Sequence, residues 1–202
     1  MDDKTIIEQV LAGDNDAFGL LVEQYQGRIY NLCLRMSGDP DDAFDLSQET
    51  FVRAWRGLSG FQFEAAFSTW LFRLCSNVCL DHLRAKKRRA AVSLTMTDED
   101  GEAQLELPDP AMGPEELLLA AEDRALLAKA LNALPADQRQ IITLRAINGL
   151  SYAEIAQVMK LQEGTVKSRL SRARVQLKNK LLQIGNKCDP TSSNQAERRD
   201  AQ

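Results

Sequence analysis

Histidine is almost missing from this chain: His82 is the only one among 202 residues. That removes paired-histidine metal motifs and leaves no Ser–His–Asp arrangement, and a Gly-rich phosphate loop is missing too. Glycine and proline are sparse, at 11 and 6 residues. Alternating β-branched runs are absent, so the pattern argues for an all-α protein. No apolar run is long enough to cross a bilayer, and the opening MDDKTIIEQV lacks a signal-peptide pattern. The expectation is a cytoplasmic protein with no membrane insertion. The four cysteines, Cys33, Cys75, Cys79 and Cys188, show no paired spacing of a disulfide framework, which suits a reducing compartment. Cys75, Cys79 and His82 are spaced to meet on one helix face, but zinc would require a fourth ligand. Both cysteines also continue the apolar stripe of Trp70, Leu71 and Val78, and small buried hydrophobes are the default for such thiols. No catalytic constellation, metal site, cofactor or small-molecule substrate is expected.

What the chain does have is concentrated in SYAEIAQVMKLQEGTVKSRLSRARVQL, from Ser151 to Leu177. Ser151 followed by Glu154 has the spacing of a capping box. Ile155, Ala156 and Met159 give the first helix an apolar side, and a polar turn follows around Leu161 and Gln162. A second helix is predicted from Glu163 or Gly164, with Val166, Leu170, Ala173 and Leu177 as one buried stripe. Its other face carries Thr165, Lys167, Ser168, Arg169, Ser171, Arg172 and Arg174. Short hydroxyls and long cations are what phosphates and base edges bond to, and an α-helix fits the major groove. The pattern reads as helix-turn-helix. A solvated basic helix is the bland alternative, yet no acidic residue lies between Thr165 and Lys180, where a merely soluble face would mix Glu with Lys.

Earlier in the chain, a short helix is predicted over Ile6–Ala12, then a long one through Phe18, Leu21, Tyr25, Ile29, Leu32 and Met36. Asp41 to Leu58 forms a third, with Leu46, Phe51, Val52 and Trp55 facing inward and Asp45, Gln48 and Glu49 sharing an outer side. A loop holding Phe61 and Phe63 leads to a fourth helix that Ser68 can cap. Asn77, Asp81 and Arg84 line one side of it. It runs into RAKKRR, where Arg84, Lys86, Lys87, Arg88 and Arg89 supply five cations in six residues. Such a block either binds nucleic acid or is a frayed helix end; aromatics beside it suit unstacked bases.

From Ala90 to Gly113 the helical pattern collapses into an acidic stretch with Pro108 and Pro110. The predicted organisation is therefore a helical domain over residues 1–89, a flexible acidic linker over 90–113, a second helical domain over 114–184 with the helix-turn-helix, and a disordered polar tail over 185–202. In the second domain, helices are predicted over Pro114–Leu134 and Pro135–Ala146. The formal charge of −4 does not favour DNA, so either the charge is segregated or a partner supplies much of the affinity.

Four motifs together resemble bacterial RNA polymerase sigma factors of the extracytoplasmic-function group: DLSQETFVRAW from Asp45, FSTWLFRLCSNVCLDHLRAKKRR from Phe67, LPADQRQIITLRAINGLSYAEIA from Leu134 and GTVKSRLSRAR from Gly164. The resemblance runs from about Phe18 to Leu182 and implies a subunit that binds core RNA polymerase and directs it to promoter DNA. It implies that Asp45, Gln48 and Glu49 dock on the polymerase clamp. It assigns Gly60–Ala66, with Phe61 and Phe63, to holding a flipped base. Trp70, Asn77, Arg84, Lys86, Lys87 and Arg88 fall in the segment that recognises and melts the −10 element. Trp70 reads equally well as core, and Asp81 as the residue that orients Arg84. Lys167, Ser168, Ser171 and Arg172 match positions that read the −35 element. Thr165, Arg169 and Arg174 hold phosphates or helix neighbours. Phe44 departs from the family, which commonly has an acidic residue there. The resemblance also implies an anti-sigma partner and a stress-response role. The rival reading is a stand-alone helix-turn-helix regulator, which would need a dimer interface and would leave Asp45, Gln48 and Glu49 without a task.

Overall fold

The computed structural model describes residues 2–92 and 114–188. Among them there is no strand, and eight α-helices follow one another: α1 Asp3–Leu11, α2 Phe18–Ser37, α3 Pro40–Gly57, α4 Phe67–Val92, α5 Pro114–Asn132, α6 Ala136–Ile142, α7 Tyr152–Met159 and α8 Glu163–Cys188. The all-α expectation holds. The acidic stretch over 93–113 and the tail beyond Cys188 lie outside the described residues.

Local chemistry sets the boundaries. Asp14 accepts the Ala17 N–H and starts the 3-10 turn that leads into α2. Gly38 closes α2 in the left-handed region, at φ 76°. Asp39 then caps α3 by accepting the Asp42 N–H at 2.8 Å, with Pro40 in the first turn, where its missing N–H costs nothing. The helix predicted to be capped by Ser68 begins two residues earlier: the Trp70 N–H reaches the Ala66 carbonyl at 3.1 Å, so Ser68 lies inside the first turn. The helix expected through Ala146 stays α-helical only to Ile142. It then widens into a π turn, Thr143–Ile147, where the Asn148 N–H bonds Thr143 O at 3.0 Å. α8 runs through Gly185 to Cys188, past the predicted end of its domain.

In the first half, α2, α3 and α4 pack on one another with α1 across α2. α3 corrects an expectation. Its buried residues are Ala43, Leu46, Ser47, Thr50 and Ala54, whereas Val52 and Trp55 are 41% and 39% exposed. Small residues at helical spacing let α2 and α4 approach closely. Their hydroxyls are satisfied within the helix, Ser47 Oγ donating to Phe44 O and Thr50 Oγ1 to Leu46 O. Leu46 is buried with these small residues and Phe51 packs against the core in part, whereas Phe44, Val52 and Trp55 are left on the outside.

α5, α6, α7 and α8 form the second half, and the buried residues of both halves join in one hydrophobic cluster. α7 lies against α4, and α2 meets α5 and α6. Arg28 donates to Asn148 O at 2.9 Å, and Arg139 donates to Met36 O at 2.7 Å. At the end of α2 the halves are so close that a Cβ on Gly38 would sit 2.6 Å from Asn132 Nδ2.

Candidate nucleic-acid interface

The helix-turn-helix forms as its sequence requires. Ser151 Oγ accepts the Glu154 N–H at 3.2 Å, and the Glu154 carboxylate accepts the Ser151 N–H at 2.7 Å. The bonds from Ser151 favour the ionised carboxylate and hold Glu154 below its usual pKa. Lys160, in the left-handed region at φ 53°, ends α7, one residue ahead of the predicted turn. α8 starts at Glu163, with Val166, Leu170 and Ala173 buried and Leu177 partly so.

The opposite face of α8 is a cationic surface with its members held to differing degrees. Lys167, Ser168, Ser171, Arg172 and Arg174 are exposed, while Thr165 and Arg169 are half-buried. Arg169 reaches Asp137 of α6 at 3.9 Å, and the Lys167 ammonium lies 5.8 Å from the Tyr152 ring centroid. Ser168 Oγ donates to Thr165 O, and Arg172 Nε to Ser168 O at 3.4 Å. Arg172 is thus folded along its own helix and must swing outward to meet a base.

The second cationic surface is on α4. The RAKKRR run is helical here, not frayed. Asn77, Arg84, Lys87 and Arg88 are exposed, and Arg84 Nη1 donates to Asp81 Oδ1 at 3.1 Å, the orienting pair expected. Lys86 bonds Asp42 of α3 at 3.3 Å, so that cation partly belongs to the α3–α4 contact.

Between α3 and α4 the loop builds an aromatic cluster. Phe61 lies 4.9 Å from Phe63, 5.2 Å from Trp70 and 5.9 Å from Phe67, ring centroid to centroid. Phe61 is only 8% exposed and Phe63 42%. Phe63 holds a left-handed backbone at φ 56°, which side-chain-bearing residues rarely adopt and which the packed ring holds in place. Beside the cluster opens a cavity of about 400 Å³ whose lining includes Phe61, Gln62, Glu64, Trp70, Arg73 and Gln157. Aromatic walls with amide and guanidinium groups suit a planar nucleobase, by stacking and edge hydrogen bonds. Sequence reasoning missed Arg73 and Gln157. Gln157 belongs to α7, 87 residues from Trp70 in sequence, and only the packing of the two halves brings it there.

Asp45, Gln48 and Glu49 are exposed together on α3, with Arg53 Nε bonding Glu49 at 2.7 Å. Phe44, at 57% exposure, flanks them along with Val52 and Trp55. Acidic and amide groups edged by apolar side chains have the make-up of a protein-docking patch.

The cysteines take an arrangement that spacing alone did not give. Cys75 and Cys79 are fully buried, and a third thiol, Cys33 of α2, joins them. His82 turns away and contacts Asp42 at 3.1 Å. Contact with the Cys33 and Cys75 thiols holds Cys79 well below the ordinary thiol pKa, while burial pushes Cys75 well above it.

Two family models match this chain in order: sigma-70 region 2 over residues 21–89 and sigma-70 region 4 over residues 124–177. The chain is 41% identical over 176 residues to the RNA polymerase sigma-H factor of Pseudomonas aeruginosa, covering 85% of this chain and 90% of that protein. It is 39% identical over 188 residues to the ECF RNA polymerase sigma-E factor of Escherichia coli K12, covering 90% of this chain and 95% of the relative. Among solved structures it resembles the sigma factor RpoE of Bartonella quintana in complex with the anti-sigma factor NepR, at a TM-score of 0.67 and 28% identity, over 84% of this chain and 98% of that one. It also resembles CnrH in complex with the cytosolic domain of CnrY, at a TM-score of 0.64 and 28% identity, over 90% and 97%.

Proposed function

This chain belongs to the sigma-70 family of RNA polymerase sigma factors, in its extracytoplasmic-function group, and from that membership we propose how its surfaces divide the work. It is a sigma subunit: it binds core RNA polymerase and directs promoter-specific initiation. The α3 patch of Asp45, Gln48 and Glu49 docks on the polymerase, with Phe44, Val52 and Trp55 adding apolar contact. The α4 face of Asn77, Arg84, Lys87 and Arg88 tracks the −10 element, and the cavity beside Phe61 and Trp70 takes an unstacked base. The α8 face reads the −35 element, Lys167, Ser168, Ser171 and Arg172 at base edges and Thr165, Arg169 and Arg174 at phosphates.

The observation that carries this division is the order of the two region matches, each falling on the half that bears the corresponding exposed face. Promoter opening on this reading is a binding task without bond-making chemistry: capture of unstacked bases offsets the cost of melting. The acidic total of −4 makes free chain a poor DNA ligand, so the polymerase supplies much of the phosphate contact. The working compartment is the bacterial cytoplasm, and an anti-sigma protein is the regulating partner, as the solved relatives bound to such proteins suggest.

Run-off transcription on a promoter library, with and without core polymerase, tests the reading. Specific transcripts requiring both components are expected, and Asp45→Ala with Glu49→Ala should weaken polymerase binding. Tight binding to palindromic DNA without polymerase would instead favour the stand-alone regulator.

A further inference from the structure

The thiol cluster lies apart from both DNA-facing surfaces and from the docking patch. Cys33 Sγ is 3.4 Å from Cys75 Sγ and 3.8 Å from Cys79 Sγ. All three sulfurs lie within 4.8 Å of one another, and all three residues are 0% exposed. A metal–sulfur bond of about 2.3 Å puts three sulfurs around one ion on a triangle with edges of about 4 Å. The two distances from Cys33 fall just short of that edge and the third is under 4.8 Å, so an ion could enter with small outward shifts of the thiols. Among the described residues no fourth histidine, cysteine or carboxylate joins the group. His82, the nearest candidate one turn from Cys79, is engaged with Asp42. Zinc in a structural site calls for four ligands, whereas soft thiolates without a fourth ligand favour a cation such as Cu(I).

We propose that Cys33, Cys75 and Cys79 form a three-coordinate thiolate site for a soft thiophilic cation of the Cu(I) class. Binding releases thiol protons to solvent, and the ion's single positive charge offsets one of the thiolate charges that burial disfavours, so the number of protons released is itself set by that burial. The ion would tie α2 to α4, the two helices between which the thiols lie, and so stiffen the half that carries the polymerase and −10 surfaces. The pocket is dry and closed, so the ion loads during folding or when the helices part.

The test uses the full chain, reduced and anaerobic, titrated with Cu(I) against a coloured Cu(I) chelator. Native protein and protein refolded in the presence of Cu(I) are both measured. One equivalent is expected to resist the chelator, with an ultraviolet thiolate-to-metal band and three sulfur neighbours by X-ray absorption. A Cys33→Ala, Cys75→Ala, Cys79→Ala triple variant should lose at least hundredfold in affinity, and Cys188→Ala should lose none. If the triple variant does not fold, the wild-type sulfur count still decides. Two sulfurs around the ion, unchanged affinity in a folded triple variant, or no retained equivalent in either preparation would overturn the proposal.

Discussion

Arg139 is 8% exposed and, among the described residues, pairs with no carboxylate, an uncommon position for a guanidinium. Its Nη1 donates to Met36 O at 2.7 Å, while Nη2 donates to Asn132 O at 2.6 Å and Leu134 O at 3.3 Å. The Met36 and Asn132 carbonyls lie at the ends of α2 and α5, where a helix leaves its last carbonyls unsatisfied, and Leu134 O lies just past α5. One planar fork thus closes two helix ends, and burial lowers its pKa. Arg139→Ala strands those carbonyls. With about 1.5–3 kcal/mol for a hydrogen bond to a charged group, and partial refilling by water, the loss should be about 3 kcal/mol. Arg139→Lys should recover little of it, since an ammonium cannot reproduce the fork. Urea unfolding followed by circular dichroism measures both, and a loss below about 1 kcal/mol for the alanine variant would show that the fork is dispensable. Nothing near Arg139 in sequence announces this role, because Met36 is 103 residues away. Cys33 was missed for the same reason, lying 42 residues from Cys75. By contrast, the Ser151–Glu154 box was legible, because both partners sit within one turn.

At the level of elements, the stripes of α2, α4 and α8 were readable from spacing, since one side of each is buried along most of its length. α3 was not. Its Val52 and Trp55 look like core to any rule that sends large apolar groups inward, but the side of α3 that is buried against α2 and α4 carries Leu46 with the small residues Ala43, Ser47, Thr50 and Ala54. A helix with large apolar residues on more than one side does not say in its sequence which side meets the protein's own core. α8 has a simpler division, and its residues separate by what holds them. Arg172 is exposed and tied to its own helix through Ser168 O, whereas Arg169 is braced by Asp137. Arg172→Ala should therefore cost about 1–3 kcal/mol at a matched −35 element and relax the preference at one base position. Arg169→Ala should weaken all promoters alike and flatten the salt dependence. Initiation rates of the holoenzyme on −35 variants, measured across salt concentrations, separate the two. Equal losses on matched and mismatched elements for Arg172→Ala would move it to the phosphate group.

For the whole molecule, the packing of the two halves sets a geometric problem. The two promoter elements are centred about 25 base pairs apart by their names, which is about 85 Å of duplex at ~3.4 Å per base pair. The longest helices here have 26 residues, about 39 Å each. Two faces on one joined core of such helices do not span that length. The chain between Val92 and Pro114 can reach at most about 80 Å fully extended, which together with the halves themselves is sufficient once they separate. The Arg28–Asn148 and Arg139–Met36 bonds and the packing of α7 on α4 must then be exchanged for polymerase contacts. The same separation withdraws Gln157 from the cavity beside Trp70 and opens that wall to a base. Fluorophores at the exposed positions Gln26 on α2 and Lys178 on α8, introduced as unnatural amino acids to leave the thiols untouched, report this directly. Energy transfer should be high in the free chain and fall on addition of core polymerase. Arg28→Ala should lower it partway without polymerase, because one cross-connection is gone while the shared apolar core remains. Unchanged transfer in a holoenzyme that initiates correctly would mean that the halves stay joined, and that one of the two reading faces is assigned to the wrong helix.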